Sequence, residues 1–139
     1  MSGHEIMVGA EFHHIGYATL SLAREREHFG LLGYKCEGEE FIDPIQGIVG
    51  CFLIGSGPRI ELLANLPGHN TLTPWLKGSA KMYHLAWLVV NLDATLAAAR
   101  SHGAKLAAAP APSVAFGGRR ICFLMLRNGL LTEFIERDG

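Results

Sequence analysis

The sequence repeats itself at an offset of about seventy residues, and this repeat constrains the fold more than any other feature. Three matching segments carry it: residues 12–18 over 82–88, residues 51–53 over 122–124 and, after a one-residue slip, residues 57–61 over 129–133. A period of this length with two copies predicts a duplicated supersecondary unit within one domain, because solenoid repeats are shorter and more numerous. Each copy brings one histidine on its first strand and one glutamate on its last.

The pattern of apolar residues predicts the same order of elements, strand-helix-strand-strand-strand, in both copies. The expected strands lie at residues 12–19, 34–37, 47–54 and 59–63, and then at residues 81–90, near Lys105, at 119–126 and at 130–135. Ser21 and Asp93 are the expected N-caps of the two helices, and a short helical turn is expected at residues 73–76. Residues 37–40 are predicted to form an exposed turn, and residues 107–113 a proline-containing loop.

These elements predict an α+β fold in which two paired βαβββ modules form an open, cupped mixed sheet with a helix from each module outside. The 139 residues are expected to form one domain. Its first module spans about residues 12–66, a linker about 67–80, and its second module about 81–136.

Composition excludes several classes of protein. The 12 basic and 13 acidic side chains are scattered without a basic stripe, so neither nucleic acid nor a membrane surface is an expected partner. No apolar run approaches the roughly 20 residues of a membrane span, and no signal peptide is expected. Cys36, Cys51 and Cys122 are an odd number without close spacing, which favours reduced thiols and a cytoplasmic location.

The repeated histidines and glutamates suggest a metal site. His14 and His84 are each followed two residues later by a small residue, Gly or Ala, which leaves space on the same face of the strand. Alternatively, Gly16 merely relieves crowding where the strand bends. Glu61 and Glu133 lie within apolar strands, and a buried carboxylate requires a partner or a cation.

A single carboxylate in a strand usually faces water, but two at equivalent positions, each matched with a histidine, favour ligation. Two imidazoles and two carboxylates suit one divalent ion of Ni, Co, Zn, Fe or Mn.

The segments that carry these residues resemble the vicinal oxygen chelate superfamily, which includes glyoxalase I, methylmalonyl-CoA epimerase, extradiol dioxygenases and bleomycin-resistance proteins. The similar segments are residues 12–18 (FHHIGYA), 59–63 (RIELL), 83–86 (YHLA) and 131–135 (LTEFI). The resemblance covers residues 12–136 and is closest to the short glyoxalase I and methylmalonyl-CoA epimerase branch. It implies that His14, Glu61, His84 and Glu133 are the metal ligands.

The resemblance also implies a function: a divalent-metal-dependent isomerase or lyase of glyoxalase I type. Such an enzyme transfers a proton next to a metal-bound carbonyl, through an enediolate. Glu133 is then the expected catalytic base and Glu61 a ligand or partner base. Arg119 and Arg120 are the expected contacts of a small-molecule substrate, either a thiol adduct or an acyl thioester. A homodimer is also expected from the resemblance.

Two alternatives remain open at this stage. The first is a methylmalonyl-CoA epimerase-like enzyme acting on an acyl thioester, although the position of the second epimerase base is Ile45, which leaves Asp43 or Glu40 as substitutes. The second is a metal-free protein that binds a small molecule, such as an antibiotic, as bleomycin-resistance proteins do. The complete set of four ligand-type residues favours the enzymes over this binding protein.

Overall fold

The computed structural model describes residues 6–78 and 81–137 of the chain. In chain order the elements are β1 (Glu11–Ala18), α1 (Leu22–Gly30), β2 (Lys35–Asp43), β3 (Ile48–Ile54), β4 (Ile60–Asn65), α2 (Thr73–Leu76), β5 (Met82–Val89), α3 (Leu92–Ser101), β6 (Lys105–Pro112), a 3₁₀ turn (Val114–Phe116), β7 (Arg120–Met125) and β8 (Leu131–Glu136). The order βαβββ therefore occurs twice, as the repeat predicts.

Among the described residues, eight strands form one mixed sheet in the order β2-β3-β4-β1-β5-β8-β7-β6. The β1–β4 and β5–β8 pairs are parallel, and the β2–β3, β3–β4, β6–β7 and β7–β8 pairs are antiparallel. Because β2 and β6 are not paired with each other, the sheet is open. The predicted α+β class is confirmed.

The strand register shows that the two repeats are equivalent. In the first repeat Gly16, two residues after His14, pairs with Glu61 across the parallel strands β1 and β4. In the second, Ala86 pairs with Glu133 across β5 and β8. Each small residue is thus placed beside the glutamate of its own repeat, on a strand that also carries a histidine.

Residues 14–84 form one compact unit, and the described residues on either side of that segment form another. In the first unit α1 packs on one face of the sheet, where Leu22 joins Cys51, Leu53 and Leu62. On its opposite face, α2 and the preceding Leu72 pack against Ala18 and other residues. In the second unit Leu92 and Ala99 of α3 pack against Cys122, Leu124 and Phe134. Each unit therefore has its own apolar core beneath a helix.

The helix N-caps agree with the sequence in one case of two. Ser21 accepts a hydrogen bond from the backbone N–H of Arg24, as predicted for α1. The prediction for α3 was wrong, since the cap is Asn91, which accepts from Ala94 N–H at 2.9 Å. Asp93 lies instead in the first helical turn, where a carboxylate is favoured by the helix dipole.

Both edge strands are longer than the sequence predicts. The predicted turn at residues 37–40 is wrong, because this segment lies within β2, at an irregularity of register where Gly38 has a φ of 76°. The predicted loop at residues 107–113 is also wrong, since Lys105–Pro112 is a strand. Proline lacks an N–H donor, but a strand at the edge of a sheet has unpaired positions that tolerate it.

The predicted helical turn at residues 73–76 is confirmed as α2. The module boundaries at residues 12–66, 67–80 and 81–136 remain a prediction, and the last two residues of that linker lie outside the described residues. Within residues 6–78 and 81–137, no helix has the length and apolar character needed to cross a membrane.

The different surroundings of the three cysteines predict different reactivity. Burial raises the pKa of the Cys51 thiol and raises that of Cys122 to about 11, while Cys36 is exposed. Because the thiolate is the reactive form, we expect iodoacetamide to label Cys36 alone in the native protein at neutral pH. Mass spectrometry of the intact and digested protein measures this, with denatured protein, in which all three cysteines react, as the control. Rapid labelling of Cys51 or Cys122 in native protein would contradict their burial.

Candidate metal centre

Three of the residues predicted to bind metal meet within the unit formed by residues 14–84. The Nε2 atom of His14 on β1 lies 2.9 Å from Oε1 of Glu61 on β4. The Nε2 atom of His84 on β5 lies 3.5 Å from the same oxygen and 3.0 Å from Nε2 of His14. All three residues are buried, with 0–4% of their surface exposed. Two imidazoles therefore share one carboxylate oxygen in the interior.

Gly16 makes this approach possible. A Cβ atom on Gly16 would lie 2.2 Å from Cε1 and 2.6 Å from Nε2 of His84, well inside van der Waals contact. The sequence predicted that the small residue leaves space near the histidine of its own strand. The structure shows that this space holds the imidazole of the other repeat, so Gly16 does more than relieve crowding at a bend.

Aromatic rings surround the two imidazoles. Phe52 of β3 contacts the His14 ring edge-on at a centroid distance of 5.3 Å, and Tyr83 contacts the His84 ring at 4.7 Å. Sequence reasoning missed Phe52, although the repeat contained the signal. Phe52 is the register partner of Glu61, and Phe123 of the repeated CFL segment is the partner of Glu133. A phenylalanine beside each glutamate is thus part of the duplicated pattern.

The electrostatics of the cluster keep Glu61 ionised. Burial by itself raises the pKa of this carboxyl, but the charge and hydrogen bonds of His14 and His84 outweigh burial and lower the pKa to about 2. At neutral pH the cluster therefore presents a carboxylate and imidazole nitrogens to one another. A buried carboxylate is stable only with such partners or with a cation.

The donor set and its spacing fit a divalent transition-metal ion. Metal–nitrogen and metal–oxygen bonds of about 2.1 Å at right angles place neighbouring ligand atoms about 3 Å apart. The separations of 2.9, 3.0 and 3.5 Å between the three donor atoms are close to this value. Imidazole nitrogen with carboxylate oxygen is a donor set that suits Zn, Fe, Ni, Co and Mn.

Glu133, the fourth predicted ligand, belongs to the unit that the residues on either side of 14–84 form. It is 2% exposed on β8, where it pairs with Ala86 on one side and Phe123 on the other. Because the next residue, Phe134, packs with α3, the side chain of Glu133 points to the sheet face opposite that helix. This is the position that Glu61 occupies in the first repeat, where its neighbour Leu62 packs beneath α1.

The two arginines predicted to contact substrate have different partners. Arg120 forms ion pairs with Glu136 of β8 and Asp93 of α3. Its Nη2 atom lies 2.7 Å from Oε2 of Glu136 and 3.0 Å from Oδ2 of Asp93. Arg119 lies just before β7. Its Nε donates to the backbone oxygen of Phe116, and its guanidinium lies 5.9 Å from that ring.

The carboxylates suggested as substitutes for an epimerase base are engaged elsewhere. Oδ1 of Asp43 accepts from the backbone N–H groups of Ile45 and Gln46, and Oδ2 accepts from the Gln46 side chain. Glu40 forms an ion pair with Arg26 of α1. Ile45 itself is 62% exposed in the turn after β2. Asp43 therefore shapes this turn rather than facing a ligand.

Enlarging Gly16 tests the position of His84. We expect Gly16→Ala to lower the free energy of unfolding by about 1–3 kcal/mol, because the added methyl group overlaps the imidazole. Chemical denaturation of metal-free protein measures this. Gly30→Ala is the matched control, since nothing lies within 4 Å of its added Cβ. Equal stability of Gly16→Ala and the parent protein would contradict this packing.

Comparison with known proteins relates this site to a family. The family model described as Glyoxalase/Bleomycin resistance protein/Dioxygenase superfamily matches residues 13–123. Comparison with curated proteins gives no match.

Solved structures share the fold over nearly the whole chain. The hypothetical protein BH1468 from Bacillus halodurans C-125 is 26% identical, with a TM-score of 0.79, and the match covers 94% of this chain and 96% of that one. Methylmalonyl-CoA epimerase from Mycobacterium tuberculosis is 26% identical, with a TM-score of 0.79, covering 100% and 94%. A methylmalonyl-CoA epimerase in complex with methylmalonyl-CoA and NH4+ is 23% identical, with a TM-score of 0.72, covering 94% and 96%.

The last likeness shows the fold alone, whereas the family match spans most of the chain and includes His14, Glu61 and His84. The protein belongs to the Glyoxalase/Bleomycin resistance protein/Dioxygenase superfamily.

Proposed function

We propose that this protein is a divalent-metal-dependent isomerase or lyase of glyoxalase I type, which moves a proton on the carbon next to a carbonyl group of its substrate. The observation that carries the proposal is the buried cluster in which His14 and His84 share one oxygen of Glu61. Well-packed apolar side chains would stabilise the interior as well as this cluster does, so stability alone does not account for it. The spacing of its donor atoms suits a metal ion.

The proposed ligand set is His14, Glu61, His84 and Glu133. Support for Glu133 comes from the register, because Ala86 pairs with Glu133 as Gly16 pairs with Glu61. The metal ion, when bound, supplies a Lewis acid that polarises the carbonyl of the substrate. Both histidines bind as neutral imidazoles and carry no proton in the reaction.

Glu133 is the proposed base that takes the proton from one carbon and returns it to its neighbour. Glu61 is less suited to this step, since both imidazoles already contact its Oε1. Glu133 is also buried, on a strand whose neighbouring residues are apolar. Phe52 and Phe123 are the register partners of the two glutamates and place an aromatic ring beside each.

Arg119 is the proposed contact for the anionic part of a small-molecule substrate, a thiol adduct or an acyl thioester. Arg120 contributes less, because its guanidinium is held by Asp93 and Glu136. A homodimer is the proposed assembly, in which a second copy covers apolar residues exposed on edge strand β2, such as Ile42.

Epimerisation of an acyl thioester is the second candidate. It is favoured by the similarity over the whole chain to the Mycobacterium tuberculosis methylmalonyl-CoA epimerase. A reaction of this kind needs a base on each face of the planar intermediate, and Asp43 and Glu40 are occupied by Gln46 and Arg26. Glu61 would then be the partner of Glu133, which makes this candidate second to the single-base reaction.

Metal content tests the ligand set. We expect the purified protein to hold about one divalent ion per chain, and His14→Ala and His84→Ala to lose both the ion and activity, because each removes a donor atom. Elemental analysis measures the ion, with His69→Ala as the control because His69 is exposed in the loop after β4. If protein prepared with excess metal holds no bound ion, the metal-dependent enzyme is excluded in favour of a metal-free binding protein.

Exchange of the substrate α-proton with deuterium tests the role of Glu133. We expect Glu133→Gln to retain part of the metal and to lose turnover by about 10²–10⁴-fold, because the amide cannot accept the proton. Glu39→Gln, at an exposed position of β2, is the control. NMR with a hemithioacetal and with an acyl-CoA separates the two candidate reactions. Parent-like exchange in Glu133→Gln would exclude this residue as the base.

A further inference from the structure

The short helix α2 follows the first repeat and is attached to two of the strands that carry the clustered ligands. Leu72, the residue before the helix, is fully buried in one apolar cluster with Ala18 of β1. Asn65, at the end of β4, accepts a hydrogen bond from the backbone N–H of Leu72 at 2.8 Å. Its Nδ2 atom donates to the hydroxyl of Thr73 at 3.3 Å. The start of α2 is thus fixed to the strands that bear His14 and Glu61.

A row of aromatic rings attaches α2 to the third strand, β5. The Trp75 ring lies edge-on to the Tyr83 ring, with 4.6 Å between centroids and 73° between planes. The Tyr83 ring in turn lies edge-on to the His84 ring, at 4.7 Å and 74°. Edge-on contact at about 4.5–7 Å is a preferred arrangement of aromatic rings, so the orientation of one ring constrains the next. Trp75 is therefore connected to a proposed metal ligand through one intervening side chain.

The other sides of the His84 ring are already occupied. The His14 ring lies edge-on to it at 5.1 Å. The backbone of Gly16 is so close that an added Cβ atom would lie 2.2 Å from Cε1 of His84. Tyr83 closes a further side of the imidazole, and the ring of Tyr83 is held by Trp75. The orientation of His84 therefore depends on a residue of α2 that does not touch it.

The length of α2 makes these contacts necessary. The helix has four residues, and a helix of this length is not stable in water by itself. Its place is therefore set by Leu72, Asn65 and Trp75, which contact the three strands that carry the ligands. A half-buried tryptophan could instead serve as apolar cover for the cluster that Leu76 also joins. The two roles predict different effects on His84.

We propose that Trp75 is a positioning residue of the metal centre. Through Tyr83 it holds the His84 imidazole in the orientation that metal binding requires, and α2 thereby keeps the three ligand-bearing strands in one arrangement. This role deepens the proposed function and rests on it only for the metal ion. Side chains that orient a ligand without touching the metal typically change metal affinity by about 10–100-fold.

NMR spectroscopy of the metal-free protein at constant pH tests the effect on His84. We expect Trp75→Ala to shift and broaden the ring resonances of His84, because Tyr83 loses the ring that holds it. The resonances of His102, exposed at the end of α3, are expected to stay unchanged. Trp75→Phe keeps an aromatic ring at this position and is expected to restore the parent spectrum. Trp87→Ala is the matched control, since Trp87 packs against the core beneath α3.

Titration with Co²⁺ alone, followed by visible absorption, tests the effect on metal binding. We expect Trp75→Ala to bind Co²⁺ at least about tenfold more weakly than the parent and with an altered absorption spectrum. Trp75→Phe and Trp87→Ala are expected to bind Co²⁺ with the affinity and spectrum of the parent. Chemical denaturation of each variant measures its free energy of unfolding, so that a loss of folded protein is separated from a loss of affinity.

The results separate this proposal from the proposed function. Unchanged His84 resonances in Trp75→Ala, or equal changes in Trp87→Ala, would overturn the positioning role. If Trp75→Ala does not fold, Asn65→Ala, which releases α2 from β4 and removes no ring, is expected to shift the His84 resonances. Parent-like resonances in that variant would also overturn the role. A parent protein that binds no Co²⁺ would contradict the proposed function, while His84 resonances that depend on Trp75 would still support the positioning role.

Discussion

The burial of an ionised carboxylate between two imidazoles is the constraint on which the rest of this structure depends. Glu61 is nearly inaccessible to water, and His14 and His84 are the groups that keep it ionised. A charge in such a position destabilises the fold unless its partners are held within hydrogen-bond distance. The strands that carry these three residues must therefore meet in one register, and a metal ion suits the donors they bring together.

Duplication is a simple way to obtain such a register. Each repeat places a small residue beside its glutamate and a phenylalanine on the other side, and the same pairings recur in the second copy. The imidazole of one repeat lies where the other repeat lacks a side chain, at Gly16. A local sequence pattern is thereby converted into a site built from strands distant in the chain.

The faces of the sheet beneath α1 and α3 are apolar. The faces under α1 and α3 hold apolar cores that include Cys51 and Cys122, and Arg120 is tied to Asp93 on the α3 side. On the opposite face of the first unit, the ligand cluster shares the sheet with the apolar residues that pack against α2.

The repeat, the order of elements and the four residues proposed as ligands are readable from the sequence, because they depend on periodicity and on residue types that recur at equal spacing. Tertiary structure decided what depends on partners distant in the chain. The proline-containing strand β6 is tolerated because it lies at an edge of the sheet. Likewise, Gly16 accommodates His84, which is distant in sequence. The guanidinium of Arg120 is held by salt bridges, among them one to Glu136. Pattern predicts which side chains are available, and packing determines which of them meet.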